Sequence, residues 1–257
     1  MTTRSTLRPQ IADYAHLEPL PDPEREPDMQ QSVGIIAFHL ILNPYFSHRD
    51  DVLISGEGFL RHEATNNAER LAPDCVVAFG VNPEGIIARN GYVISEVGKP
   101  PDFVLEVASR STGRRDYTVK REGYAGYGVQ EYWRFDHTGG RFHDAPLAGD
   151  VLADGKYERL EIHDEDDGLL WGHSEVLGLD LCWDDGELRF RDPTTGEFLP
   201  SPEELQAERD AAEAERDAAQ AHANAEQARA NAEQARANAA EAELARVREQ
   251  LRRLQQD

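Results

Sequence analysis

The first residue able to do chemistry is Glu106, in the stretch PPDFVLEVASRSTGRRDYTVKREGYAGYGVQEYWRFD from Pro100 to Asp136. Phe103, Leu105 and Val107 alternate with Asp102, Val104, Glu106 and Ala108, so a strand here sends Glu106 out on the face opposite the large apolar side chains. A carboxylate so placed needs a partner. Five basic residues follow within twelve positions, Arg110, Arg114, Arg115, Lys120 and Arg121. The last two fall on a predicted helix that continues through Tyr124, and a tight turn and second strand come after it. Carboxylate and cations together suit a site that holds a metal ion and a phosphate.

A second carboxylate must come from outside this strand. Asp102 lies four residues from Glu106, about 13 Å along an extended chain, too far for both to reach one cation whose ligands sit at about 2.1 Å. Pro73 and Asp74 open a near-continuous apolar run, CVVAFGV, that reads as a buried neighbouring strand. Asp74 is therefore the candidate partner, and a hard divalent cation such as Mg²⁺ takes one or two carboxylates, waters and phosphate oxygens. Taken alone, Asp74 reads equally well as a turn residue at a strand entry.

The order of these segments carries a resemblance: PD, then PDFVLEVASRST, then RRDYTVKREGYAGYGVQEYW with a closing RFD, and later SEVLGLDLCWDDGELRFRDPTTGEFLPSPEEL. Across residues 29 to 200 the chain resembles the Uma-type (Uma-two) restriction endonuclease family of the PD-(D/E)XK nuclease superfamily. The resemblance implies an α/β (α+β) fold, a mixed sheet flanked by helices. It also implies a divalent metal site made by Asp74, Glu106 and the backbone carbonyl of Val107, with Mg²⁺ or Mn²⁺ as cofactor, and phosphodiester hydrolysis in nucleic acid, DNA foremost.

One residue departs from the superfamily formula, which has a lysine two positions after the acidic residue. That position holds Ala108. The resemblance implies that the lysine has moved to the following helix, where Lys120 is the candidate to position the attacking water or neutralise developing charge. The chain has only three lysines, Lys99, Lys120 and Lys156, against 24 arginines, and an ammonium is a compact charge whose pKa shifts in ways an arginine cannot match. The alternative is an exposed helical lysine paired with Asp116 at i,i+4. Arg114 and Arg115 are candidates for phosphate contact or plain turn residues. Tyr124, Tyr132 and Trp133 read as packing residues. One metal or two stays open, the nine histidines do not cluster as zinc ligands, and no P-loop signature is present.

The net charge of −22 weighs against tight binding of a polyanion. From Pro202 onward there are 13 acidic and 8 basic residues, leaving 36 acidic and 19 basic on residues 1–201. This Lys-poor, Asp-rich balance points to adaptation to high salt. Screening over about 8 Å leaves a local basic cluster able to meet a phosphate. Cys75 and Cys182 have no metal-ligand spacing, which argues for a reducing compartment. No run approaches the roughly 20 apolar residues of a membrane span, and MTTRSTLRPQ lacks the apolar core of a secretion signal, so the expectation is a cytoplasmic protein.

Three parts are expected. Residues 1–28, rich in Pro, Glu and Asp, read as a loosely ordered leader. Residues 29–200 form the nuclease-like domain. Within it a helix runs from Met29 to about Leu42 with Val33, Ile36, Ala37, Leu40 and Ile41 facing the core, ended by Asn43 and Pro44. Short strands lie at Val52–Ser55 and about Phe59–Arg61, and hairpins fill residues 141–200. Residues 201–257 begin with Ser201, Pro202 and Glu204 as a capping box. They continue as heptads with alanine at two positions, until Leu244, Val247, Leu251 and Leu254 supply larger side chains. This arm reads either as a coiled coil forming a homodimer or docking a partner, or as a solvated helix without one. The runner-up for the whole chain is a non-catalytic module that binds nucleic acid or acts as a scaffold through this arm.

Overall fold

A computed structural model describes residues 31–254 except 57, 65–69 and 111. The leader assigned to residues 1–28 lies outside them. Helix α1 spans Gln31–Tyr45. It is followed by β1 (Val52–Ser55), β2 (Phe59–Arg61), β3 (Cys75–Phe79), α2 (Pro83–Arg89), β4 (Gly91–Val93), α3 (Ile94–Val97) and β5 (Phe103–Val107). The chain then crosses over through α4 (Gly113–Arg115), a π-helical turn (Asp116–Lys120) and α5 (Arg121–Tyr127) to β6 (Glu131–Phe135).

β1, β3, β5 and β6 form one side of a six-stranded sheet, completed by β7 (Leu147–Ala153) and β8 (Lys156–Arg159) in the order β1-β3-β5-β6-β7-β8. Among the described strands of this sheet only β5 and β6 pair in parallel, and parallel neighbours need a helical crossover lying on one face of the sheet. That requirement puts the lysine-bearing segment over β5. A four-stranded antiparallel sheet is made by β9 (His163–Asp164), β10 (Leu170–Ser174), β11 (Leu179–Asp184) and β12 (Glu187–Arg191). Hairpins β7–β8 and β11–β12 turn on Asp154–Gly155 and Asp185–Gly186, all four residues at positive φ, as tight two-residue turns demand. The expected strands β1 and β2 and the later hairpins are present.

One face of the large sheet packs Phe103, Leu105, Val107 and Trp133 against Phe38 and Leu42 of α1 and Leu181 and Phe190 of the smaller sheet. The other face packs Val76, Val104 and Tyr132 against Ile86, Tyr92 and Tyr124.

Helix α1 departs from expectation in phase and in length. Its buried residues are Gly34, Phe38, Ile41 and Leu42, whereas Val33, Ile36 and Leu40 are exposed. The contact is set by Gly34, where an added Cβ would stand 3.1 Å from a Val107 methyl. Pro44 lies inside the helix rather than after it. In the last turn a proline forfeits a single backbone bond, which is tolerable one residue from the end. The sequence reading was silent on residues 83–97, which hold α2, β4 and α3; β4 pairs in parallel with β2, about thirty residues earlier.

After Pro202 the contacts divide the chain into a second unit. Helix α6 runs Pro202–Leu254, about 80 Å at 1.5 Å per residue. Gln220, Gln227 and Gln234 donate to Asn224, Asn231 and Asn238 at 3.0, 2.9 and 2.9 Å. These i,i+4 clamps recur every seven residues and help the helix along its own axis. We propose the division into a domain at 29–200 and an appended helix. A chain ending at Ser201 should keep its circular dichroism spectrum and lose any self-association; a fall in melting temperature beyond about 10 °C would overturn the division.

Candidate active site

Register places the two acidic residues. β3 and β5 are antiparallel with Cys75 opposite Leu105 and Val76 opposite Val104, so one step further Asp74 faces Glu106. Directly opposed residues on antiparallel strands share a face, with Cβ atoms about 5 Å apart. Both are buried, Glu106 completely and Asp74 at 4% exposure. Asp102, at the far end of β5, is bound instead to Lys99 Nζ at 2.7 Å and to the Phe79 amide at 2.8 Å.

Asp74 is tied to the end of β5. Its Oδ2 accepts the Val107 amide at 2.9 Å and Gln31 Nε2 at 2.5 Å, and the same Gln31 nitrogen donates to the Val107 carbonyl at 2.8 Å. One nitrogen within reach of both oxygens means that the Asp74 carboxylate and the Val107 carbonyl converge on a single point. That is the donor set the family resemblance implied for a cation, and it passes the test of fit: a carboxylate oxygen and a carbonyl oxygen aimed at one position beside a second carboxylate suit Mg²⁺ or Mn²⁺. Among the described residues no group of three or more His, Cys, Asp or Glu side chains gathers as a metal cluster, so carbonyl and water ligands would have to complete the shell.

Glu106 is held from the crossover helix. Lys120 Nζ lies 2.8 Å from its Oε2, and Tyr124 donates its hydroxyl to Oε1 at 2.5 Å. Lys120 also lies 2.8 Å from Asp116, one π-helical turn earlier. The i,i+4 pairing with Asp116 that the sequence offered as the alternative role is present, but on a side chain only 13% exposed that meets Glu106 as well. A π turn adds a residue to the helical ring, and this one spans Asp116 to Lys120. Asp116 is itself anchored, its Oδ2 at 3.0 Å from His143 Nε2 and its backbone carbonyl accepting the Tyr132 hydroxyl at 2.7 Å.

His143 arrives on a loop closed by Asp136, which accepts from the Thr138, Phe142 and His143 amides at 2.9, 2.7 and 2.8 Å. Burial alone would raise the Asp136 carboxyl, but those bonds and the Thr138 hydroxyl hold it below its usual range. A connected chain thus runs from Asp136 through its loop to His143, Asp116, Lys120 and Glu106. Sequence reasoning missed Gln31, His143 and the Tyr124 hydroxyl, since each contact joins residues far apart in the chain. The closing RFD was the one available signal for Asp136. Arg114 and Arg115 are exposed at the start of the crossover.

Burial pushes the Glu106 carboxyl well above the ordinary glutamate value, with Asp74 and Asp116 adding to the rise and Lys120 opposing it. Burial would lower the Lys120 ammonium, yet Glu106, Asp116 and Asp74 outweigh it and keep the ammonium protonated above its ordinary range. A raised folded-state pKa binds more protons in the native state, so the stability tied to Glu106 is full below its ordinary 4.5 and is lost as pH rises through its folded value. In EDTA, melting temperature should therefore fall more steeply with rising pH for the parent than for Glu106→Gln. Equal slopes would show that Glu106 is already ionised in the folded state.

The fold and this site define a nuclease-like α/β domain with paired acidic residues at one end of two central strands. The chain belongs to the Uma2 family, described as "Putative restriction endonuclease", whose profile matches residues 35–181. Among solved structures it is similar to one from Anabaena variabilis described as "a putative nuclease belonging to DUF820", with 16% identity, a TM-score of 0.39, and coverage of 58% of this chain and 74% of that one. No curated protein matches the chain. No described helix is long and apolar enough to cross a membrane.

Proposed function

We propose that the protein is a divalent-metal-dependent endonuclease that hydrolyses phosphodiester bonds in DNA. The observation that supports this most is the opposition of Asp74 and Glu106 across β3 and β5 with Lys120 on the Glu106 carboxylate. Asp74, Glu106 and the Val107 carbonyl would hold Mg²⁺ or Mn²⁺, which when bound polarises the scissile phosphate and its attacking water. Lys120 presents a permanent positive charge where negative charge develops on the phosphate. Asp116 and Tyr124 fix the positions of Lys120 and Glu106. Arg114 and Arg115 offer guanidinium groups to the flanking phosphates. We place the enzyme in the cytoplasm, with α6 as the segment able to form a homodimer.

Plasmid and single-stranded DNA incubated with the purified protein at high salt test this reading. Cleavage with Mg²⁺ or Mn²⁺, none with EDTA, and none by Asp74→Ala is the expected result. Cleavage that survives both EDTA and Asp74→Ala would refute the metal site, and no cleavage under any condition would favour the non-catalytic alternative.

A further inference from the structure

Beside the acidic pair is a cavity of about 300 Å³ that the nuclease reading does not use. Leu60, Val76, Ile86 and Tyr92 give it apolar walls, and Ser55 and Asn90 add polar atoms. We propose that this cavity binds one unstacked nucleobase of the substrate strand, so that the enzyme acts on single-stranded or locally opened nucleic acid. The proposal rests on the nuclease reading for its choice of ligand.

Strand register fixes where the cavity lies. Ser55 pairs with Val76, and Val76 pairs with Val104. Side chains two residues apart share a face, so Ser55 and Val76 of the cavity stand on the same face of the sheet as Asp74 and Glu106. They also stand towards the same end, because β1 finishes where β3 begins. With strands about 4.8 Å apart and two residues spanning about 7 Å, the cavity lies about 10 Å from the carboxylates, the reach of a nucleotide next to the scissile phosphate. Gly56 makes that closeness possible. A Cβ there would fall 2.6 Å from the Asp74 carbonyl oxygen, so the cavity wall rests directly on the backbone of a nominated catalytic residue.

The mouth carries the charge a nucleotide needs, on a domain that is otherwise acidic. Phe59 lines the cavity, and the exposed Arg70 places its guanidinium 4.6 Å from that ring's centroid. Flat apolar walls with hydrogen-bonding groups among them, and an arginine at the rim, suit a base and its phosphate. The lining residues come from β1, β3 and α2 among others, and a volume of about 300 Å³ suits one base rather than a base pair, so on this proposal the base is unstacked first.

The test needs no turnover. The parent protein in EDTA is titrated into a single-stranded DNA oligonucleotide carrying 2-aminopurine at successive positions, and into the same sequence as a duplex. Ile87 is 64% exposed at the cavity wall, so Ile87→Trp fills the mouth without disturbing the core. Single strand should bind more tightly than duplex, with a fluorescence change centred on one position. Ile87→Trp and Arg70→Ala should each weaken that binding about ten-fold, within the cost of one lost base stack. Arg209→Ala, on α6, should leave it unchanged. Equal binding of duplex and single strand, no binding of either, or parent-like binding by both Ile87→Trp and Arg70→Ala, with melting temperatures confirming the fold, would overturn the proposal. A parent that binds the base in this way but cuts nothing with Mg²⁺ would sink the nuclease reading and leave the cavity standing; a parent that cuts single strands as well after Ile87→Trp would do the reverse.

Discussion

Lys120→Ala should reduce DNA cleavage by at least about 10²-fold, the usual cost of removing one group that meets transition-state charge, while Mg²⁺ affinity stays near that of the parent. The ammonium lies 2.8 Å from Glu106 and 2.8 Å from Asp116 with 13% of its side chain exposed, so it bears on the site electrostatically and is no ligand. Its removal leaves two buried carboxylates facing each other without a cation, a loss of about 3–5 kcal/mol. Turnover must therefore be read below the variant's own melting transition. Lys120→Arg should rescue poorly, because a planar guanidinium cannot take the place of a compact ammonium held between two carboxylates. Asp116→Asn keeps the shape and removes one charge, so a loss in kcat with unchanged KM is expected, smaller than for Lys120→Ala. The double variant Asp116→Asn/Lys120→Ala should be no worse than Lys120→Ala, since residues acting as one unit are not additive. Near-parent turnover in both Lys120 variants would make the lysine a structural cation only.

Strand alternation was enough to send Glu106 away from Phe103, Leu105 and Val107, and the PD opening was enough to nominate Asp74, because period-two patterning and strand starts are local signals. The family resemblance moved the expected lysine to the following helix, and the scarcity of lysine supported Lys120 there. Local signals could not reveal that Lys120 bridges Glu106 and Asp116, because that depends on the π-helical turn between Asp116 and Lys120. Nor could they reveal Gln31, which meets Asp74 and Val107 across 43 and 76 residues. The phase of α1 went wrong for a related reason. Hydrophobic periodicity rewards Val33, Ile36 and Leu40, yet the helix approaches β5 through Gly34, where the absence of a side chain lets Val107 come close. A contact made by a missing side chain has no hydrophobic signature. The three-residue strand β4 was silent for a related reason, since its pairing comes from β2, about thirty residues earlier in the chain.

Millimolar Mg²⁺ or Mn²⁺ should raise the melting temperature of the parent, and Asp74→Ala or Glu106→Ala should abolish the response. A ligand that binds only the folded state stabilises it by about 2.7 kcal/mol at a hundred times its Kd, about 5–10 °C for a domain of this size. The metal-free site is poised for such a gain, because the rise in the Glu106 carboxyl comes first from burial and then from the charges of Asp74 and Asp116, and a cation between Asp74 and Glu106 offsets both. Because burial raises the Glu106 carboxyl, protons compete with the metal there, so the response should strengthen with rising pH. The comparison that separates a metal site from general acidity is Asp102→Ala. Asp102 lies about 13 Å along β5 from Glu106 and is engaged by Lys99 and the Phe79 amide. Its loss should lower the starting melting temperature yet leave the metal-induced rise intact. A domain with this many carboxylates could also gain stability from Mg²⁺ by diffuse screening, and in that case all three variants would respond like the parent. Should calorimetry find no Mg²⁺ or Mn²⁺ bound at millimolar concentration, with DNA present or absent, the paired acids would be a buried structural pair neutralised by Lys120, and a scaffold acting through α6 would be the better account of the chain.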